Sequence, residues 1–157
     1  MREHLISALC SSPKIVERFL RVFPTERLDD RPESDRFTPR EVVAHIADWE
    51  QVVLDRVRVA NMRPGRDVPD EDPGERAVVH HYGDKDVFHE AEVFESRRQT
   101  TMEYLARLDD ADWEKTFIHP VRGEITIHGY MVDILAHDMY HLEQLSCYFA
   151  NEVATIS

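Results

Sequence analysis

The sequence predicts an all-α protein: a four-helix bundle with a long loop between its second and third helices and a short extended segment before its fourth. Three observations carry that expectation. Four separate stretches repeat apolar residues at helical rather than strand spacing. The second stretch opens on a full set of helix-start signals. Each of the four has a single apolar stripe to bury, and helices of that kind pack into a bundle.

The first stretch runs from about Leu5 to Phe23, with apolar residues at Leu5, Leu9, Ile15, Phe19 and Val22, and Pro24 closes it. The second starts at Thr38-Pro39-Arg40-Glu41. A threonine cap, a proline at the first helical position and a glutamate three residues after the cap can satisfy orphan backbone N–H groups in both directions. That helix should reach about Asn61 on the stripe Val42, His45, Ile46, Trp49, Val52, Val53 and Arg56, which places His45 on the apolar face. From Arg63 to Asp86 the chain is rich in charge, proline and glycine, as in Pro64-Gly65 and Asp72-Pro73-Gly74, and reads as a long surface loop. A third helix follows from about Val87 to Leu108 on Val87, Ala91, Phe94, Arg98, Thr101, Leu105 and Leu108. β-Branched residues on both sides of Val121-Arg122-Gly123-Glu124 suggest a small hairpin or an extended crossover. Thr126 is a plausible cap for the last helix, from about His128 to Ala150, whose stripe is Tyr130, Ile134, His137, His141, Leu145 and Tyr148.

At 157 residues the chain has the usual size of one domain, residues 1–157, and can bury roughly 70% of the surface it exposes when unfolded. Nineteen basic against thirty-one acidic residues give a formal net charge of -12. Phosphate backbones and anionic membrane surfaces recruit lysine and arginine, so this balance works against nucleic acid and membrane partners. The first residues lack the apolar core of a signal peptide, and no apolar run approaches the ~20 residues that span a bilayer. A cytoplasmic protein is expected, with Cys10 and Cys147 as reduced, buried thiols.

Chemistry concentrates on the last helix. His137 and His141 are four residues apart, so both imidazoles share one face within reach of one ion. Both sit on an apolar stripe between Ile134 and Leu145, where buried imidazoles need partners for their nitrogens. His45 offers a third ligand from a facing helix. Three neutral imidazoles would leave a divalent ion with an open coordination position, the pattern of a catalytic rather than a structural site. The run His137-Asp138-Met139-Tyr140-His141 resembles the H-E-x-x-H pattern of zinc proteases, but aspartate replaces the glutamate and only sixteen residues follow for a downstream ligand. Asp48, one turn after His45, is a candidate to orient an imidazole, with a solvated carboxylate as the alternative. Arg98 interrupts an apolar stripe, so it either snorkels to solvent, the favoured outcome, or enters a pocket to meet an anionic substrate group. Trp49, Tyr104 and Gln144 could line a cavity or pack in the core. His80-His81 read as exposed loop residues, and His4, His89, His119 and His128 gain nothing from spacing.

Two segments together, Ala44-His45-Ile46-Ala47-Asp48-Trp49-Glu50 and Ile134-Leu135-Ala136-His137-Asp138-Met139-Tyr140-His141-Leu142-Glu143-Gln144-Leu145, resemble the DinB/YfiT-like superfamily of metal-binding four-helix bundles. The resemblance covers nearly the whole chain. It implies an up-down-down-up bundle and a homodimer. It also implies one divalent metal ion on His45, His137 and His141, nickel or zinc first, with iron or manganese as further options. Relatives of known activity include thiol-dependent S-transferases and isomerases that use bacillithiol or mycothiol, the metal activating the cofactor thiol, while many members have no established reaction. The expected function is that of a divalent-metal-binding protein with a three-histidine site, whose first reading as an enzyme is a metal-dependent thiol S-transferase acting on small electrophiles. The alternatives are a metal-dependent hydrolase and a non-catalytic metal-binding stress-response protein.

Overall fold

The computed structural model describes residues 2–152. In chain order its elements are α1 (Arg2–Leu20), α2 (Pro39–Met62), α3 (Pro73–Val79), α4 (Val87–Leu105), α5 (Asp110–Trp113), the strands β1 (Thr116–His119) and β2 (Gly123–Thr126), and α6 (Ile127–Ala150). The four long helices are the predicted ones. Thr38 caps α2 as expected: its hydroxyl accepts from the Glu41 N–H at 3.2 Å, and the Glu41 carboxylate accepts from the Thr38 N–H at 2.8 Å. The β1–β2 pair is an antiparallel hairpin with Phe117 opposite Ile125. Thr126 caps α6 by accepting from the Gly129 N–H at 2.9 Å.

Three details differ from the sequence expectation. Helix α1 ends at Leu20 rather than near Phe23, and its buried face is Leu5, Leu9, Ser12, Pro13, Val16 and Leu20, with Ile15 and Val22 exposed. The true stripe keeps heptad-like spacing but passes through a serine and a proline, which hide it from an apolar count. Helix α4 stops at Leu105 rather than Leu108, because Asp109 and Asp112 form a capping box that starts α5. The segment between α2 and α4 is not a plain surface loop. Asp72 caps α3 by accepting from the Glu75 N–H, with Pro73 in the first turn. Backbone bonds from Gly65 to Thr116 and between residues 66–68 and Ile118 lay its first part along β1. A 3₁₀ turn at Tyr82–Asp84 then inserts the Tyr82 ring into the interior.

Two apolar clusters set the helix directions. One joins the start of α1 (Leu5, Leu9), the end of α2 (Val53, Val57), the end of α4 (Leu105) and the start of α6 (Tyr130, Met131, Ile134). The other joins Val16 and Leu20 of α1, Val42 and Ile46 of α2, Val87 and Phe94 of α4, and Leu145 and Tyr148 of α6. So α1 and α6 run one way and α2 and α4 the other, an up-down-down-up order. Helices α1 and α2 each pack on both α4 and α6, across the bundle from one another. Between the clusters lies a layer of polar residues, which contains the three histidines. Among the described residues no helix is long and apolar enough to cross a membrane.

Candidate metal centre

His45 reaches the centre from α2, and His137 and His141 reach it from consecutive turns of α6. The His137 Nε2 lies 3.1 Å from the His45 Nε2 and 3.2 Å from the His141 Nε2. The three rings are mutually tilted, with centroids 4.5, 4.9 and 5.2 Å apart, so their edges rather than their faces converge. Each offers one ligand nitrogen, and these atoms lie within 4.8 Å of one another. His45 and His141 are buried, and His137 is half-buried.

The electrostatics keep all three neutral. Burial holds the His141 ring down to about 3, helped by His137. Burial, then the Arg98 charge, holds His137 down to about 4. Burial and the two neighbouring imidazoles hold His45 well below the ordinary histidine range. A lone proton serves such a cluster poorly: His137 Nε2 has either one proton or one lone pair for two partners. A divalent cation accepts all the lone pairs at once. Metal–nitrogen bonds of about 2.0–2.1 Å hold ligand nitrogens roughly 3.0–3.4 Å apart, which the two Nε2 separations match.

A relay behind His141 fixes which nitrogen points inward. Gln144 Oε1 lies 3.1 Å from the His141 Nδ1, the Gln144 amide donates to the Tyr148 hydroxyl at 2.9 Å, and that hydroxyl donates to the Phe37 carbonyl at 2.6 Å. An Nδ1–H donated to Gln144 leaves the Nε2 lone pair free for the cluster, the usual arrangement behind a ligating imidazole. Among the described residues His45 has no such support, for its Nδ1 is buried without a hydrogen-bond partner there. Its ring is set by packing instead, against Phe37 at 5.3 Å and Trp49 at 5.3 Å. Trp49 also stacks on His137 at 6.1 Å, and Tyr140 stands edge-on to His141 at 5.0 Å.

At the same level of the bundle Arg98 is 2% exposed, so it neither snorkels nor opens into a pocket. Its guanidinium donates to Glu50 of α2 at 2.6 Å and to both carboxylate oxygens of Asp138 of α6 at 2.7 and 3.1 Å. It also donates to the Leu9 carbonyl of α1 at 2.8 Å. Pro13, four residues on, has no N–H to offer that carbonyl, so Arg98 takes the place of the missing helix bond. One side chain thus joins all four long helices. The two carboxylates hold the guanidinium well above its ordinary range, while burial pushes the Glu50 carboxyl up.

The other predicted residues fall elsewhere. Asp48 bonds not to an imidazole but to Arg76, at 2.7 and 3.1 Å, and to the Tyr82 hydroxyl at 2.6 Å, tying the segment after α2 to that helix. Tyr104 accepts from Asn61 at 3.0 Å, away from the histidines. His80 and His81 are exposed, as expected. Cys147 is buried as expected, while Cys10 is only half-buried. Sequence reasoning missed Glu50, Asp138, Phe37 and Tyr82. Asp138 had a signal in its position beside His137; the other three depend on packing between segments.

Residues 9–145 match the model of the DinB superfamily. Among solved structures, the fold is similar to YfiT from Bacillus subtilis, described as a probable metal-dependent hydrolase with an unusual four-helix bundle topology. That likeness has a TM-score of 0.84 at 17% identity and covers 95% of this chain and 83% of that one. It is also similar to TT2238, described as a four-helix bundle protein, with a TM-score of 0.68 at 20% identity, covering 94% of this chain and 99% of that one. No curated protein matches the sequence.

Proposed function

The chain belongs to the DinB superfamily, and we propose that it is a metal-dependent enzyme whose centre is one divalent ion held by His45, His137 and His141. The observation that supports this most is the convergence of three neutral ring nitrogens, two of the Nε2 separations being 3.1 and 3.2 Å. Nickel and zinc suit an all-imidazole set, as does iron, whereas manganese prefers oxygen ligands. A bound ion would supply Lewis acidity, making a coordinated water or thiol nucleophilic near neutral pH.

The residues divide the remaining work. Gln144 holds His141 in the tautomer that presents Nε2. Trp49, Phe37 and Tyr140 wall the imidazoles with aromatic surface and reduce the water around them. The half-buried side of His137 is where a small substrate would approach. The reaction is transfer of a low-molecular-weight thiol to a small electrophile, a reading that draws on the family resemblance. Hydrolysis is the second reading, and the description of YfiT favours it. We further propose that the protein acts as a cytoplasmic homodimer.

The discriminating experiment titrates cobalt-substituted protein with small thiols while following ultraviolet absorption. S-transfer predicts a new sulfur-to-metal band with at least one thiol, lost in His141→Ala. No band with any thiol, together with ester or amide turnover that is lost in His141→Ala, would replace it with hydrolysis.

A further inference from the structure

Arg56 is the odd charge in this interior. It lies on the α2 stripe that carries His45 and Trp49 and is 4% exposed. Arg98, just as deeply buried, is neutralised by two carboxylates. Arg56 instead donates to the Tyr130 hydroxyl at 3.4 Å and the Pro69 carbonyl at 3.3 Å, and its guanidinium lies 3.0 Å from the His119 Nε2. The Arg56 Nε is buried with no hydrogen-bond partner among the described residues. Among the described residues no carboxylate forms an ion pair with it. Burying an unneutralised cation is costly, and chains that keep one commonly use it.

Its surroundings suggest what the charge is for. Arg56 lines a cavity of about 150 Å³ between α2 and the segment that follows it, beside Val52, Val68 and Pro69. The carboxylates on the same cavity, Asp55 and Glu71, are engaged by Arg58 and Arg76. The guanidinium also lies over the Trp49 ring at 5.6 Å, and that ring stacks on His137. One aromatic side chain therefore lies between the three-histidine cluster and a buried cation that has no ion pair among the described residues. A planar guanidinium with a free N–H is suited to a carboxylate or a phosphate.

We propose that Arg56 receives an oxyanion, a carboxylate or phosphate borne by the substrate whose reacting end lies at the histidine cluster. Only the position of that reacting end rests on the metal-centre reading, so anion binding is tested without metal. The probe is the indole N–H signal of Trp49 in NMR spectra of the metal-free full chain, assigned with Trp113→Phe. The titrants are sodium phosphate and sodium succinate, against sodium chloride at equal ionic strength. A saturable shift with phosphate or succinate but not chloride is expected. Binding should weaken at least about tenfold in Arg56→Met, the loss of one charge-assisted contact, and less in Arg56→Lys. Arg56→Met should also melt no lower than the parent, because it removes a buried charge with no ion-pair partner among the described residues.

Absence of any saturable shift in the parent overturns the proposal, as does undiminished binding in Arg56→Met. A lower melting temperature for Arg56→Met, with no anion response in the parent, would make Arg56 a pin between α2 and the hairpin. If Arg56→Met does not fold, the parent titration and Arg56→Lys decide. A failed metal-centre reading would show in elemental analysis and leave this shift untouched.

Discussion

Three imidazoles packed edge to edge in an apolar interior must each give up hydration, and this sets how the protein responds to acid. An unfolded histidine takes its proton near pH 6.5, but His141 in the bundle does so only at about 3. The folded state therefore binds fewer protons than the unfolded state between those values, and stability rises with pH across that window. The contribution is complete above pH 6.5 and is lost as the pH falls toward about 3. Urea midpoints of metal-free protein at pH 5 and pH 7 should reveal it. His141→Gln should flatten the dependence by about 1.4 kcal/mol per pH unit; an unchanged slope would mean that His141 is hydrated. The three histidines were legible in the sequence because spacing and stripe place them. The role of Gln144 was not, since Gln144 matters only through where His141 points its Nδ1. Gln144→Leu keeps the packing but strands that nitrogen, and metal affinity should drop about tenfold or more by competition with a chelator.

The elements carry their own instructions where a short motif suffices. Thr38 and Glu41 start α2, and Thr38→Ala should cost about 1 kcal/mol in denaturant unfolding. The same logic was present in Asp72-Pro73-Gly74-Glu75, where a cap, a first-turn proline and a glutamate begin α3. The glycine and the flanking charges disguised it as loop. Helix α1 could not be aligned from its apolar residues alone, because its inward face includes Pro13 and Ser12. Pro13 is tolerated there because a side chain from α4 accounts for the carbonyl it leaves open. Arg98 is thus the joint of the bundle, and Arg98→Ala would leave Glu50, Asp138 and the Leu9 carbonyl buried without it. That substitution should destabilise by about 3–5 kcal/mol. Replacing Glu50, Arg98 and Asp138 together by Leu, Met and Leu should recover most of the loss, because no charge is then left unpaired. Failure of the triple variant to outperform Arg98→Ala would show that the ion triad is not the source of the cost.

At the scale of the molecule, two apolar clusters flank a polar middle layer, and the helices of that layer come from opposite parts of the chain. Alternating stripes and caps were enough to predict four helices. Their up-down-down-up order came from the family likeness rather than from composition. The middle layer was half legible: its histidines stand out, whereas Glu50, Arg98 and Asp138 make sense only once three helices are brought to one level. An ion bound to the folded state alone stabilises it by mass action, about 2.7 kcal/mol at a hundredfold excess over the dissociation constant. Added zinc or nickel should accordingly raise the melting temperature of the parent and leave His137→Ala unmoved. The most direct measurement is elemental analysis of protein purified without an affinity tag, beside His45→Ala and His137→Ala. Close to one divalent ion per chain in the parent, and little in either folded variant, is the predicted result. Parent protein that stays metal-free even after incubation with zinc or nickel, or folded variants that bind as much as the parent, would contradict the three-histidine centre.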